Sequence, residues 1–283
     1  MKNILITGAN GQLGSEIKTI AKNFADNNYF FTDIPELDIT NKTTVFDFCK
    51  NNKITHIINC AAYTAVDLAE TEIELSNLIN STAPKILAEI SKQLNIKIIH
   101  ISTDYVFDGT NHRPYTEIDN PNPTSQYGKS KLEGEKNILT NPDTIIIRTS
   151  WLYSSFGNNF VKTIINLTKQ RDKLTIISDQ VGTPTYALDL ANVILEIITN
   201  KKFISGIYNF SNHGVASWYD FAFEIIKIKN LETKVIPILT KDYPTPAKRP
   251  FYSILDKSKI TNTFKIKIPY WKNSVAICLS KLK

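Results

Sequence analysis

Short, almost wholly apolar runs recur through the first two thirds of the chain: NILIT, YFFTDI, HIINCAA, KIIHIST, TIIIRTS and LTIISD. Between them lie stretches with helical periodicity, QLGSEIKTIAKNF, TTVFDFCKNN, ELSNLINSTAPKILAEISKQL, YGKSKLEGEKNIL and NNFVKTIINLTKQ. A strand apolar on both faces must be covered on both, and an intervening helix returns the chain to start the next strand in the same direction. The alternation predicts βαβ units and an α/β fold built on a doubly wound, Rossmann-type parallel sheet. From about residue 180 the elements shorten. They run VGTPTY, a helix from about Leu188 to Thr199, GIYNFS, a helix from about Trp218 to Lys227, KRPFYSILD, and a last helix near Trp271 to Leu282. No Gly/Ser-rich or Pro-rich linker sets this tail apart. The expectation is one unit over 1–283, with the sheet mainly in 1–180 and a small C-terminal lobe mainly in 181–283.

Composition excludes several classes. With 283 residues and 42% hydrophobic content, the chain can bury a large core and is neither disordered nor fibrous. MKNILITGAN runs straight into an apolar strand pattern with no extended apolar leader, and nothing later approaches the roughly 18 apolar residues of a membrane helix. The expectation is a cytoplasmic protein with no membrane partner. Cys49, Cys60 and Cys278 are far apart and odd in number, which suggests reduced small hydrophobes and neither a disulfide framework nor a zinc site. His56, His100, His112 and His213 show no ligand spacing, so no metal is assigned to them. The net charge of +6 comes from lysines scattered among acidic residues, without the basic run and interleaved aromatics of a nucleic-acid surface. Arginine is confined to Arg113, Arg148, Arg171 and Arg249, which makes each a better candidate for a specific contact than any one lysine.

LITGANGQLGSEI places Gly8, Gly11 and Gly14 directly after a strand and at the opening of a helix. Glycines there allow a tight turn and close approach of backbone to a pyrophosphate, whose charge meets the open amides and positive end of the helix. Asp33 closes the second strand pattern, where a carboxylate accepts hydrogen bonds from an adenine ribose. Together they predict a dinucleotide, NADPH or NADH. Asp33 favours NADH, because a carboxylate repels a 2′-phosphate and no Arg or Lys follows closely, although side chains from neighbouring loops can rescue NADPH. The alternative for Asp33 is a turn cap.

In YGKSKLEGEK, an otherwise exposed-looking helix, Tyr127 and Lys131 stand at i and i+4 and share one face. KIIHIST delivers Ser102, Thr103 and Asp104 to the strand end where a ligand binds in such sheets. A phenol is a poor acid at neutral pH, and a neighbouring ammonium draws it toward the working range. Thr103, Tyr127 and Lys131 thus fit hydride transfer to a carbonyl, with Thr103 polarising the oxygen, Tyr127 supplying the proton, and Lys131 tuning it and holding the nicotinamide ribose. Tyr and Lys at this spacing also occur by chance; the glycine loop and the strand-end Ser-Thr are what give the pair weight. From Tyr105 to Gln126 the chain is irregular and proline-containing, as in a lid or binding loop or a surface insertion.

This set resembles the extended short-chain dehydrogenase/reductases, with their Y-x-x-x-K pair and upstream Ser/Thr. GANGQLG, INCAAYTAVDLAE, ISTDYVFDG, YGKSKLEGE, RTSWLY, DQVGTPTY, GIYNFSN, SWYDFA and RPFYSILD, in order along the whole chain, are similar to the dTDP-4-dehydrorhamnose reductase family. The resemblance implies reduction of a nucleotide-linked 4-keto sugar, with Thr103, Tyr127 and Lys131 catalytic. It also implies Asn10, Gly11 and Gln12 along the pyrophosphate, Leu13 among the cofactor-binding residues, Asp38 and Ile39 at the adenine end, and Ala61, Ala62 and Tyr63 beside the middle of the cofactor. Thr103, Asp104 and Trp151 would meet the substrate in a substrate-binding C-terminal lobe; Trp151 at the end of an apolar strand is otherwise core packing. Arg249, in KRPFYS, is a further candidate for a substrate phosphate, against a surface ion pair. Some family members are magnesium-linked dimers. Glu16 matches one of their glutamates, but no full ligand set is recognisable, so a magnesium ion lacks support, and monomer and homodimer both stay open. Other readings are a different 4-ketoreductase, a 4-epimerase, or a regulatory subunit like that of methionine adenosyltransferase.

Overall fold

The computed structural model describes residues 1–200 and 202–282. Strands Asn3–Thr7 (β1), Asn28–Thr32 (β2), His56–Asn59 (β3), Lys97–Thr103 (β4) and Thr144–Thr149 (β5) alternate with helices Gln12–Ile20 (α1), Lys42–Asn51 (α2), Ile73–Asn77 (α3), Ala83–Leu94 (α4) and Gln126–Ile138 (α5). Then follow the short strands Leu152–Tyr153 (β6), Lys173–Ile177 (β7), Val181–Gly182 (β8), Thr185–Tyr186 (β9), Gly206–Asn209 (β10), Ala216–Ser217 (β11) and Lys234–Ile238 (β12). The later helices are Phe160–Thr168 (α6), Ala187–Asn200 (α7), Trp218–Ile228 (α8), Ser258–Phe264 (α9) and Trp271–Lys281 (α10).

The main sheet has six parallel strands in the order β10-β5-β4-β3-β1-β2. Every residue of β3 and β5 is buried, as central strands covered on both faces require. On one face Ile17 and Ile20 of α1 pack with Leu190, Ile194 and Ile198 of α7; on the other Val45, Leu87, Ile90 and Ile138 of α2, α4 and α5 close a second core. From β1 the chain moves outward to β2 and then returns to β3 on β1's other side. That reversal leaves a crevice at the C-terminal strand ends, the position where open α/β sheets bind ligands.

Two strands exchange the places expected of them. LTIISD does not join the main sheet: its β7 pairs with β12 in a separate parallel ribbon, and Lys173 and Thr175 are exposed while Leu174 is buried. Such one-sided burial suits a ribbon covered by α8 on one face. GIYNFS, expected in the lobe, supplies β10, which extends the main sheet beside β5. An apolar run alone does not reveal its partner.

ELSNLINSTAPKILAEISKQL is helical without a break from Ile73 to Leu94, but it is not a regular α-helix throughout. A π-helical stretch at Leu78–Thr82 separates α3 from α4, a distortion often found near functional sites. It turns Asn80 inward, where its amide oxygen accepts from the Tyr63 backbone N–H (2.9 Å) and its amide nitrogen donates to the Tyr63 carbonyl (3.0 Å) and Ser130 Oγ (3.1 Å). Helix α5 runs so close that a Cβ on Gly134 would strike the Asn80 carbonyl. Far from being solvated, α5 buries Tyr127, Gly128, Ser130, Lys131, Gly134, Glu135 and Ile138. The segment Tyr105–Gln126 is also not an open lid. Asp108 accepts from Thr110, Tyr115 and Asn122, Arg113 pairs with Asp119, and Asn209 ties Tyr115 to the end of β10.

Candidate active site

The strand ends open into a cavity of about 860 Å³, the size of a small-molecule or cofactor site. Gly8, Gly11, Gln12, Leu13, Asp33, Asp38, Ile39, Ala61 and Ala62 line one part, and Thr103, Asp104, Tyr127, Lys131 and Trp151 another. Sequence-distant candidates therefore meet in one space.

The glycine loop has the shape a pyrophosphate needs. Gly8 takes φ +63°, and a Cβ there would lie 2.7 Å from the Ala61 backbone; a Cβ on Gly14 would lie 2.6 Å from Ala9 Cα. Gly14 is thus a packing glycine between α1 and the loop and is not part of the cavity wall. No side chain caps the N-terminus of α1, which leaves its leading amides open toward an anion. Asp33 both lines the cavity and caps the loop: its oxygens accept from the Asn10 N–H (2.9 Å) and the Ile34 N–H (2.9 Å). These features fit a dinucleotide. Lys131 is the one Lys or Arg among the described residues lining the cavity, whereas Asp33, Asp38 and Asp104 are acidic.

Thr103 ends β4, and its hydroxyl donates to Asp104 Oδ1 (3.0 Å) and accepts from the Tyr105 N–H (3.2 Å). Tyr127 stands in the first turn of α5, edge-on to the Tyr105 ring at 5.4 Å. Burial pushes the Tyr127 phenol up to about 12; the Thr103 hydroxyl pulls it down and the Asp104 charge pushes it further up. Lys131 is 2% exposed and donates to the Ile101 carbonyl (2.7 Å). Burial lowers it to about 8, against the opposing pull of Glu135 and Cys60. The expected drawing down of the phenol by the ammonium is not what dominates here: desolvation of each group outweighs their mutual influence. Asp104 is raised by burial to about 7, and its Oδ2 has no hydrogen-bond partner. One turn beyond Lys131, Glu135 accepts from Arg148 Nε (2.9 Å), Arg148 Nη2 (2.7 Å) and Ser102 Oγ, an ion pair 2% exposed on both sides.

Other candidates fall outside the cavity wall. Asn10 is exposed and reaches the site only through its N–H to Asp33. Tyr63 turns away, its hydroxyl donating to Glu72 Oε2 (2.7 Å). The Arg249 fork holds Asp67 (3.0 and 2.7 Å), the ion-pair alternative; a phosphate contact would first have to open that pair. Glu16 is fully buried and accepts from Ser154 Oγ (2.6 Å), and among the described residues no three His, Cys, Asp or Glu side chains group to hold a metal.

The structure adds residues that the sequence reading passed over. Gly157, Asn158 and Asn159 line the cavity, and Asn159 Nδ2 donates to Gln12 Oε1 (3.0 Å), drawing this segment onto the glycine loop. Trp218 lies flat on Trp151, with centroids 3.6 Å apart and planes 8° apart. A tryptophan in SWYDFA was the available signal; nothing in the sequence pairs it with Trp151.

A glycine-rich strand-to-helix turn at a topological switch point, with Thr, Tyr and Lys converging on the same crevice, defines a dinucleotide-dependent short-chain reductase. The chain belongs to the family described as RmlD substrate binding domain, whose model matches residues 1–283. It is 45% identical to the dTDP-4-dehydrorhamnose reductase of Aggregatibacter actinomycetemcomitans, over 97% of each chain. Among solved structures, a dTDP-4-dehydrorhamnose reductase from Clostridium acetobutylicum superposes with a TM-score of 0.94 at 45% identity, covering 98% of each chain. One from Bacillus anthracis, in complex with NADP, gives 0.94 at 38% identity over the whole of both chains.

Proposed function

We infer that this chain is an NAD(P)H-dependent oxidoreductase that reduces the 4-keto group of dTDP-6-deoxy-L-lyxo-4-hexulose to give dTDP-L-rhamnose, a nucleotide sugar for surface polysaccharide. The observation that carries this reading is the convergence of Thr103, Tyr127 and Lys131 on the cavity that begins at the glycine loop. When bound, a reduced nicotinamide would supply the hydride that the carbonyl carbon accepts. Thr103 turns its one hydroxyl hydrogen from Asp104 to the carbonyl oxygen, and Tyr127 passes its proton to that oxygen as charge develops there. A phenol held near 12 keeps its proton through the neutral range and is available as the acid. Lys131, cationic below about 8, orients the nicotinamide ribose and offsets charge left on the phenolate.

Gly8, Gly11, Gln12 and Leu13 hold the pyrophosphate, Asp33 the adenine ribose, Asp38 and Ile39 the adenine end, and Ala61 and Ala62 the centre of the cofactor. Asp104 and Trp151 border the sugar, and the elements beyond residue 180, apart from β10, α7 and α9, which pack on the main sheet, form the substrate-binding lobe. No helix among the described residues is long and apolar enough to cross a membrane, and we place the enzyme in the cytoplasm as a monomer or homodimer. The test supplies the dTDP-4-keto sugar, made from dTDP-glucose by a dehydratase and an epimerase, and follows oxidation of NADH and NADPH separately. Cofactor oxidation that yields dTDP-L-rhamnose and disappears in Tyr127→Phe is expected. Absence of turnover with both cofactors refutes the reading.

A further inference from the structure

Trp151 adopts φ +48°, an unfavourable backbone for a bulky aromatic residue that persists only where its surroundings hold it. Three contacts do so. Trp218 lies parallel to it at 3.6 Å. Gly182 packs against its edge, where a Cβ would stand 2.7 Å from Trp151 Cε2. The Trp151 carbonyl accepts from the Thr185 N–H at 3.1 Å. Trp218 is itself fixed: its indole N–H donates to Gln180 Oε1 (3.2 Å), the buried Gln180 donates onward to Thr240 Oγ1 (3.1 Å), and Phe160 lies against its ring at 4.7 Å. Both indoles line the cavity and neither is fully buried. Trp151 follows β5 and Trp218 opens α8, whereas the glycine loop follows β1, two strands beyond β4 in the sheet order. The tryptophan pair therefore stands on the lobe side of Thr103 and Tyr127, away from the pyrophosphate cradle.

We propose that Trp218 is a positioning residue for the sugar of the nucleotide-sugar substrate: it holds the Trp151 ring flat as one rigid wall of the sugar subsite. This rests on the substrate reading above. A flat aromatic wall meets the C–H face of a hexose through apolar and C–H contacts, and the hold on Trp151 is lost if either neighbour of its ring is changed. Removing Trp218 frees the ring, while adding a Cβ at Gly182 presses on its edge.

The test uses the full chain with Trp218→Phe, Trp218→Ala and Gly182→Ala. Binding of dTDP-L-rhamnose and of dTDP alone is measured by calorimetry, and KM and kcat are measured for the keto sugar. Trp218→Ala and Gly182→Ala should weaken dTDP-L-rhamnose and raise the keto-sugar KM by about tenfold, the scale of a lost apolar contact, with dTDP and NADH affinity held; both lower the melting temperature, and binding is measured below it. Trp218→Phe, which keeps a stacking ring, should recover most of the loss. A second readout needs no activity. Trp271 is 1% exposed, so acrylamide quenching reports on the other two tryptophans, and Trp151 should become more quenchable in Trp218→Phe and more still in Trp218→Ala. Equal losses for dTDP and dTDP-L-rhamnose, or no loss in a folded Trp218→Ala, overturn the proposal, as does unchanged quenching. If the wild type binds neither nucleotide, the substrate reading fails, and quenching still decides whether Trp218 holds Trp151.

Discussion

Tyr127 keeps its proton because burial disfavours the phenolate, while Lys131 loses its proton early because burial disfavours the ammonium. The pH dependence follows. Between pH 6 and 9 the phenol, held near 12, stays protonated, and Lys131 passes from ammonium to amine as pH rises through about 8. The value of kcat/KM should therefore fall above about pH 8, and Lys131→Met should lack that limb in a pH–rate profile. Tyr127→Phe should reduce kcat by about 10²- to 10⁴-fold, the usual worth of a positioned acid. Asp104 carries a stability consequence of opposite sign to a salt-bridged carboxylate. Its folded value, near 7, lies above the ordinary 3.8, so the folded state holds a proton that the unfolded state releases. The associated stability is complete below the ordinary value and lost as pH rises through about 7. Asp104→Asn should melt higher than wild type at pH 8, gain little at pH 5, and bind the sugar nucleotide more weakly. Asp33 and Asp38 line the cavity, where Lys131 is the one Lys or Arg among the described lining residues. The protein should bind NADH more tightly than NADPH, and Asp33→Asn should narrow the difference in a fluorescence titration.

Helix α5 shows why Tyr127 and Lys131 are held where they are. Its buried face meets the π-helical stretch through Gly134 and meets β5 through the Glu135–Arg148 pair. Arg148 also stands over the Phe107 ring at 5.1 Å. Removing one member of a buried pair leaves the other charge without compensation, at a cost of about 3–5 kcal/mol. Arg148→Met should lower urea-unfolding stability by that amount, and pairing it with Glu135→Gln should recover part of the loss. The spacing of Tyr127 and Lys131 was legible in the sequence, as were the strand-end Thr103 and the glycine loop, because each is a local pattern. The burial of α5 was not: its charged residues read as solvated, and only the packing partners reveal that Lys131 and Glu135 point inward.

Across the whole molecule the sheet and the lobe share parts. Strand β10 completes the edge beside β5, and α7 covers the face that α1 also covers, yet both come from sequence beyond residue 180. The lobe's own core gathers Tyr153, Val161 and Leu174 from before that point with Phe221, Ile225 and Trp271 from after it. The chain should therefore unfold in one cooperative transition. A fragment ending at residue 180 should fail to give one in urea, because it exposes the Ile17 face of the sheet and leaves β5 as an open edge. The connection between β5 and α6 likewise reaches back from the lobe to Gln12 and Glu16 of α1, which links the glycine loop to the lobe.

The sequence by itself determined the α/β class, the parallel central strands, the glycine turn between β1 and α1 and the placing of Tyr127 and Lys131 one turn apart on one helix, since strand burial, turn geometry and i, i+4 spacing are all written within a few residues. Only the tertiary structure decided that LTIISD leaves the sheet and GIYNFS enters it, that Arg249 is held by Asp67, and that Trp218 backs Trp151. Each depends on a partner far along the chain, and an apolar strand, a guanidinium or an indole carries no local mark of which partner it will meet.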